Sequence, residues 1–119
     1  MNTDLNDYTV LDLECILAEA EQAARDAASK FFTETLNGKD GFPCGFAWVE
    51  ILGVKGNTKL GRRLKQAGVK LDSYSKCFKI WNPSKFPAQN VDTLEQGALA
   101  AADVLKKYGF KAYSSSRWD

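Results

Sequence analysis

The sequence contains no histidine among its 119 residues. This absence removes Ser-His and Cys-His activation of a nucleophile, the commonest general base near neutral pH, and most transition-metal sites. Enzymes without histidine use paired carboxylates or lysine, but no carboxylate pair in this sequence is placed near a recognisable cleft. We therefore predict a protein that is not an enzyme and that uses no metal and no cofactor.

Cysteine is scarce as well, with Cys15, Cys44 and Cys77 widely spaced along the chain. An odd number without a CxxC pair argues against a disulfide framework and against a zinc site, so structural thiols in a reducing compartment are predicted. Cys44 stands between Pro43 and Gly45 and has no evident base to activate it. It is predicted to be a small buried apolar side chain rather than a nucleophile.

The sequence also lacks any apolar run long enough to span a bilayer, and its acidic first residues do not resemble a signal peptide. We therefore expect the protein in the cytoplasm, with no membrane partner. The length suits one domain over residues 1–119 and is sufficient to bury a core. Only residues 1–7 have a composition compatible with disorder.

The net charge of +1 conceals a strong asymmetry along the chain. Residues 1–50 hold three basic and ten acidic side chains, whereas residues 51–90 hold nine basic and one acidic. Residues 91–119 hold four of each sign. An acidic beginning and a basic middle favour either an anionic partner or self-association with opposite charges facing.

Hydrophobic periodicity predicts an α+β fold with elements in the order α-β-α-β-α-β. Thr9, with Asp12 three residues on, is typical of the N-cap of a helix, here predicted over residues 9–37. The other predicted elements are a strand over 46–54, a helix over 58–67, a strand over 76–81, a helix capped by Asp92 or Thr93, and a strand over 110–114 followed by a polar tail. A single small sheet of three or more strands, packed with helices, accommodates this order.

The basic segment supplies the first candidate site. Six cations and no acid lie between residues 55 and 70, and Arg62 and Arg63 fall opposite the Leu60–Leu64 stripe of the predicted short helix. The turn before this helix places backbone N–H groups at a helix N-terminus, and arginine can hold a phosphate through two hydrogen bonds. An ordinary solvated helix face is the alternative interpretation.

The end of the second predicted strand supplies the second candidate, with Trp81, Asn82 and Ser84 followed by Gln89. An aromatic ring beside amide groups suits a flat ligand with hydrogen-bonding edges, such as a nucleobase. A core tryptophan followed by an ordinary Asn-Pro-Ser turn is the alternative. In the polar tail, Ser116 and Arg117 could close over a phosphate or a ribose, or belong to a frayed end or a dimer contact.

Several blocks of the chain resemble a family of small tailed-phage proteins. The blocks are Gly-Phe-Pro-Cys-Gly-Phe-Ala-Trp-Val at 41–49, Gly-Arg-Arg-Leu with Gly68 at 61–68, Trp-Asn-Pro-Ser at 81–84 with Gln89, and Ala-Tyr-Ser-Ser-Ser-Arg-Trp-Asp at 112–119. The resemblance covers residues 41–119 and leaves out the first helix. It implies a phage or prophage origin, and hence the host-cell cytoplasm, but no activity, cofactor or catalytic residue.

Small phage accessory proteins often counter host defence, so we predict a non-enzymatic protein that sequesters a nucleotide or nucleotide-derived immune signal. A homodimer is expected, because a small protein gains a walled pocket most easily at an interface. An inhibitor that binds a host defence protein and a sequence-independent nucleic-acid-binding protein are the alternatives. The predicted ligand-binding residues are Arg62, Arg63, Trp81, Asn82, Ser84, Gln89, Ser116 and Arg117.

Overall fold

A long N-terminal helix precedes a four-stranded sheet in the computed structural model, which describes residues 4–118. A short 3-10 helix over Leu5–Asp7 comes first. The elements that follow are α1 (Val10–Glu34), β1 (Gly45–Leu52), α2 (Lys59–Gln66), β2 (Lys70–Leu71), β3 (Phe78–Trp81), α3 (Val91–Lys107) and β4 (Lys111–Trp118). The α+β class predicted from the sequence is thereby confirmed.

Helix α1 begins at the predicted cap. The Thr9 hydroxyl accepts a hydrogen bond from the Asp12 backbone N–H at 3.1 Å, and the Asp12 carboxylate accepts one from the Thr9 N–H at 2.9 Å. This capping box satisfies two of the N–H groups that every helix start leaves without an intrahelical partner. The helix ends at Glu34, three residues before the predicted end, and Asn37 and Gly38 then take positive φ values.

The sheet has the strand order β2-β3-β1-β4, and every pair of neighbouring strands is antiparallel. The eight residues of β1 pair one to one with the eight of β4, from Gly45 opposite Trp118 to Leu52 opposite Lys111. On its other side β1 pairs with β3, with Trp48 opposite Trp81. Strands β3 and β1 are therefore internal, and β2 and β4 form the two edges.

Alternation along the strands separates a buried face from an open one. Ala47, Val49 and Ile51 of β1 are almost completely buried, while Phe46 and Leu52, which flank them on either side along the strand, are about 40% exposed. A two-residue period of this kind is what an antiparallel sheet with one covered face requires. The buried set joins the apolar side chains of the helices in one core, so within residues 4–118 the three helices lie on the same side of the sheet.

Helix α3 packs against β1 and β4, and α1 packs mainly against α3. The contact between the two helices is lined by small side chains that are fully buried, including Ala24, Ala28, Ala98 and Ala101. A Cβ atom added at Gly97 would lie 3.1 Å from the Ala24 carbonyl oxygen. Alanine and glycine at these positions thus allow the close approach of α1 and α3.

The element order β1-α2-β2-β3-α3-β4 is that of the split βαβ, or ferredoxin-like, motif, to which α1 is added. Such an architecture supports many unrelated activities, so function has to be argued from the side chains it presents. No described helix is long and apolar enough to cross a membrane.

Several local predictions are wrong. Strand β2 lies between the predicted helix over 58–67 and the predicted strand over 76–81, where no element was predicted. Strand β4 continues to Trp118 through the predicted polar tail, because its backbone pairs along the whole of β1. Helix α3 is capped by the buried Asn90 rather than by Asp92 or Thr93. Of the residues 1–7 predicted to be compatible with disorder, Asp4 caps a 3-10 helix over Leu5–Asp7, and residues 1–3 lie outside the described residues.

Candidate ligand-binding site

The face of the sheet that carries no helix presents aromatic and cationic side chains in neighbouring positions. Directly paired residues of antiparallel strands point to the same face, so the register fixes its members. They are Lys70 from β2, Lys79 and Trp81 from β3, Phe46, Trp48, Glu50 and Leu52 from β1, and Lys111, Tyr113, Ser115 and Arg117 from β4. We call this surface the open face.

Two tryptophans form the centre of the open face. The rings of Trp48 and Trp81 have centroids 4.9 Å apart at an interplanar angle of 39°. Trp48 retains only 9% of its surface, whereas Trp81 is 51% exposed. Trp48 is therefore a largely buried ring against which the Trp81 ring packs. Trp81 retains an exposed aromatic surface that a ligand can contact.

Cations flank this aromatic pair. The Lys79 ammonium lies 5.5 Å from the centre of the Trp48 ring and 3.3 Å from an Asp72 carboxylate oxygen. The Arg117 guanidinium lies 5.6 Å from the centre of the Phe46 ring. Lys79 already has a carboxylate partner, whereas no hydrogen bond or ion pair from residues 4–118 engages the Arg117 guanidinium, whose N–H groups can therefore bind a ligand beside the Phe46 ring.

Asp72 is held ionised by its own loop. The Ser75 hydroxyl donates to Asp72 Oδ2 at 2.5 Å and the Ser75 backbone N–H donates to the same oxygen at 3.0 Å. Together with Lys79, these donors lower the pKa of Asp72 to about 2. The carboxylate thus stays charged under physiological conditions and fixes the position of the Lys79 side chain.

A hollow of about 310 Å³ opens at the end of β1 and β3, beside Trp81. This volume lies at the small end of the range observed for ligand sites. Apolar residues from the strands and from α3 contribute to its lining, as do the amide-bearing residues Asn82 and Gln89. The lining residues are Cys44, Gly45, Phe46, Ala47, Trp81, Asn82, Ala88, Gln89 and Leu94.

The position of Asn82 follows from a tight turn at the end of β3. Its φ of 41° lies in the left-handed region, which asparagine tolerates better than most residues. The Asn82 backbone N–H donates to the Ala47 carbonyl at 2.9 Å, and the buried Ser84 hydroxyl donates to Asn82 Oδ1 at 3.0 Å. With its oxygen engaged by Ser84, Asn82 has its amide NH₂ left to meet a ligand.

Asp40 organises the opposite wall of the hollow. Its carboxylate accepts hydrogen bonds from the backbone N–H groups of Gln89 and Asn90, at 2.9–3.0 Å. The Gln89 and Asn90 donors, with that of Gly41, lower the pKa of Asp40. The ionised carboxylate therefore fixes the backbone that carries the Gln89 side chain.

Three of the predicted site residues, Trp81, Asn82 and Gln89, meet at this hollow. Ser84 does not reach it, because its side chain is completely buried and holds the turn together through Asn82 and the Phe86 N–H. Ser116 faces the helices, where its hydroxyl donates to Glu95 at 2.8 Å. Both serines are structural, which corrects the ligand-binding role predicted for them.

The predicted convergence of Arg62 or Arg63 with Arg117 on one anion is wrong. Helix α2 contacts β2 and packs on the helical side, whereas Arg117 lies on the open face of β4, the opposite edge strand. The width of the sheet between these edges is about 14 Å at the usual strand spacing. Arg63 also donates to the carbonyls of Asn6 and Tyr8, at 2.9 and 2.8 Å, and so ties the N-terminal segment to α2.

The sequence interpretation missed Phe46, Trp48 and Tyr113 as members of an aromatic surface. Alternation within β1 could have assigned Phe46 and Trp48 to one face, but their neighbours on β3 and β4 depend on the strand order. Cys44 was also misjudged. It is partly exposed at the rim of the hollow, with its sulfur 3.9 Å from Gln89 Oε1.

Comparison with protein-family models, with curated proteins and with solved structures finds no match to this chain. The resemblance to small tailed-phage proteins therefore stays a prediction.

Proposed function

We propose that the protein binds a nucleotide without transforming it, with the base in the hollow beside Trp81 and the phosphate next to Arg117. The convergence of Trp81, Asn82 and Gln89 on one hollow carries this proposal. An aromatic ring recognises the flat surface of a base, and the amide groups of Asn82 and Gln89 recognise its polar edge.

The charge at the mouth of the hollow fits an anionic ligand. Phe46 lines the hollow, and the Arg117 guanidinium lies against the ring of Phe46. A phosphate attached to a base in the hollow would lie beside this guanidinium, which can donate two parallel hydrogen bonds to it. The ligand would thus be held at its two chemically distinct ends.

Replacing Trp81 by alanine should weaken nucleotide binding about 5- to 150-fold, because stacking of a base on an aromatic ring contributes about 1–3 kcal/mol. Isothermal titration calorimetry with nucleoside monophosphates, cyclic dinucleotides and dinucleotides measures the change. The control is Tyr74→Ala, which removes an aromatic ring that is 95% exposed and distant from the hollow in the β2–β3 loop. If no probe binds the wild type, or if Trp81→Ala binds as the wild type does, the proposal is wrong.

Replacing Arg117 by alanine should weaken binding of nucleotides about tenfold and leave binding of the uncharged nucleosides unchanged, since only the phosphate contact is lost. Arg62→Ala is the matched control, because Arg62 is an exposed residue of α2 whose guanidinium donates to the neighbouring Asn57 carbonyl. Equal effects of the two substitutions, measured in the same titrations, would show that general positive charge rather than a site attracts the ligand.

A second candidate function is binding of single-stranded nucleic acid across the whole open face. The observation that favours it is the row of Lys79, Trp81, Trp48, Phe46 and Arg117, which extends over three adjacent strands. Four-stranded sheets in RNA-binding domains stack two or three bases on such aromatics. Affinity that rises with oligonucleotide length and falls steeply with salt distinguishes this function from binding of a single nucleotide.

The role of such binding in countering host defence, and direct inhibition of a defence protein, stay predictions. The first requires the bound nucleotide to be a signal of the host, which mass spectrometry of small molecules released from the purified protein would identify. Recovery of one stoichiometric host protein from a lysate, with no released nucleotide, would favour the inhibitor.

A further inference from the structure

The outer edge of β4 offers a complete row of backbone hydrogen-bonding groups. The Asn82 N–H donates to the Ala47 carbonyl, so odd-numbered residues of β1 bond towards β3. Hydrogen-bonding direction alternates along a strand, so the even-numbered residues of β1 bond towards β4 and pair there with odd-numbered residues. In β4, therefore, Ala112, Ser114, Ser116 and Trp118 direct their N–H and C=O groups away from the sheet.

This edge lacks most of the usual devices that prevent strand pairing. Strand β4 has eight residues, contains no proline, and pairs with β1 in an unbroken one-to-one register without a bulge. Its middle consists of Ser114, Ser115 and Ser116, and its charged residues stand towards the ends. Natural proteins usually shorten, bend or charge such edges, as β2, with only two residues, illustrates at the other side of the sheet.

We propose that a second copy of this chain pairs with β4 in antiparallel orientation, around a two-fold axis at Ser115, to form a continuous eight-stranded sheet. A two-fold axis places identical strands antiparallel to each other, which is the condition for a closed dimer. The proposal shares Arg117 with the proposed ligand site, but its tests change Ser114 and Ser115, so the failure of either proposal can be distinguished from the failure of the other.

The side chains of β4 favour this register over the neighbouring one with its axis at Ser114. The open faces of both copies lie on one side of the joined sheet only if opposite residues of the two β4 strands belong to the same face. This requires the two-fold axis to pass through a residue rather than midway between two residues. An axis at Ser114 would place Lys111 opposite Arg117 of the second copy, and like charges directly opposite are destabilising. An axis at Ser115 instead places Tyr113 of each copy opposite Arg117 of the other copy, which gives two aromatic–cation pairs.

The side of α3 that lies next to β4 also favours pairing with a second copy of this chain. Glu95 accepts the Ser116 hydrogen bond and Lys106 lies 5.5 Å from the Tyr113 ring, so both mark the side of α3 that adjoins β4. Leu99, on the same helical stripe, is 40% exposed. In the proposed dimer the two α3 helices become neighbours across the axis, and the Leu99 side chains lie between them.

Native mass spectrometry and light scattering of the full chain should give twice 13.2 kDa at micromolar concentration. Ser115→Lys and Ser115→Glu should each weaken the dimer at least tenfold, because equal charges meet at the axis. An equimolar mixture of the two variants should recover a dimer that contains one copy of each. A monomeric wild type, or a mixture that stays as monomeric as its components, would overturn the proposal.

Cross-linking tests the register itself in a background that carries Cys15→Ser and Cys44→Ser, which removes the exposed and the partly exposed native thiols. Ser115→Cys should oxidise to a disulfide-linked dimer, whereas Ser114→Cys should not, because residue 114 faces residue 116 in this register. Equal cross-linking at both positions would reject the register.

Ser114→Pro removes one outward N–H and no bond to β1, so it should leave the melting temperature nearly unchanged and abolish the dimer. A dimer that survives this substitution is not held together by the edge of β4.

Discussion

Replacing Phe78 by alanine should lower the free energy of unfolding by about 3–5 kcal/mol, the usual cost of removing a buried phenylalanine ring. Phe78 is completely buried, pairs with Ile51 of β1 and Leu71 of β2, and is the largest of the fully buried side chains. Domains of this size have a stability of about 5–15 kcal/mol. The substitution therefore removes a large fraction of it, which urea denaturation followed by tryptophan fluorescence measures.

The control for this experiment is Tyr74→Ala, which deletes an aromatic ring of similar size that is almost fully exposed. Its stability should remain within about 0.5 kcal/mol of the wild type. A midpoint for Phe78→Ala that coincides with that of Tyr74→Ala would contradict the assignment of Phe78 to the core.

Replacing Asn90 by alanine should lower the free energy of unfolding by about 3 kcal/mol, more than loss of a helix cap alone. The buried Asn90 side chain accepts hydrogen bonds from the Thr93 N–H and hydroxyl, at 2.9 and 3.0 Å. Its amide NH₂ donates to the carbonyls of Gly41 and Phe42, at 3.2 and 3.1 Å. Alanine removes the cap, worth about 1 kcal/mol, and leaves buried polar groups without partners.

Thr58→Ala separates these two contributions. Thr58 caps α2 through a hydrogen bond from the Gly61 N–H, and its hydroxyl donates to the Lys55 carbonyl only three residues back, so it joins no distant loop. Its replacement by alanine should therefore cost about 1 kcal/mol. Thermal or urea unfolding of both variants gives the comparison. If Asn90→Ala is no more destabilising than Thr58→Ala, the bonds to Gly41 and Phe42 do not contribute to stability.

The sequence carried enough information to predict most elements, because their signals are local. The stripe of α3, from Leu94 through Ala98 and Ala101 to Leu105, is buried as its helical spacing predicts. The alternation in β3 was also predictable, with Phe78 buried and the Lys79 and Trp81 side chains on the other face. Each of these features depends on residues within one turn of helix or one strand.

Features that depend on distant pairing could not be predicted in the same way. Residues 115–118 are polar or exposed and resemble a tail, yet they form a strand because β1 supplies the opposite half of every hydrogen bond. Strand β2 has only two residues and likewise exists through its pairing with β3. In both cases the cause of the structure lies outside the segment itself.

The predictions for the candidate site show the same difference between local and distant relationships. Trp81, Asn82 and Gln89 are close in sequence, and their meeting at one hollow agrees with the reasoning from a strand end and its loop. Arg63 and Arg117 were combined only by their charge, and the sheet separates them. The sequence shows that a segment is positively charged, but only the strand order shows which cations lie on the same surface.

The packing of α1 on α3 has a consequence for synthesis of the chain. Helix α1 is synthesised well before its main partner, residues 91–107, so its alanine stripe stays uncovered until those residues have been made. Contacts between such distant segments form late and slow the search for the native state. Translation that pauses after residues 10–34 have left the ribosome, but before residues 91–107 are made, should accordingly expose an amphipathic helix without its partner, to which chaperones can bind.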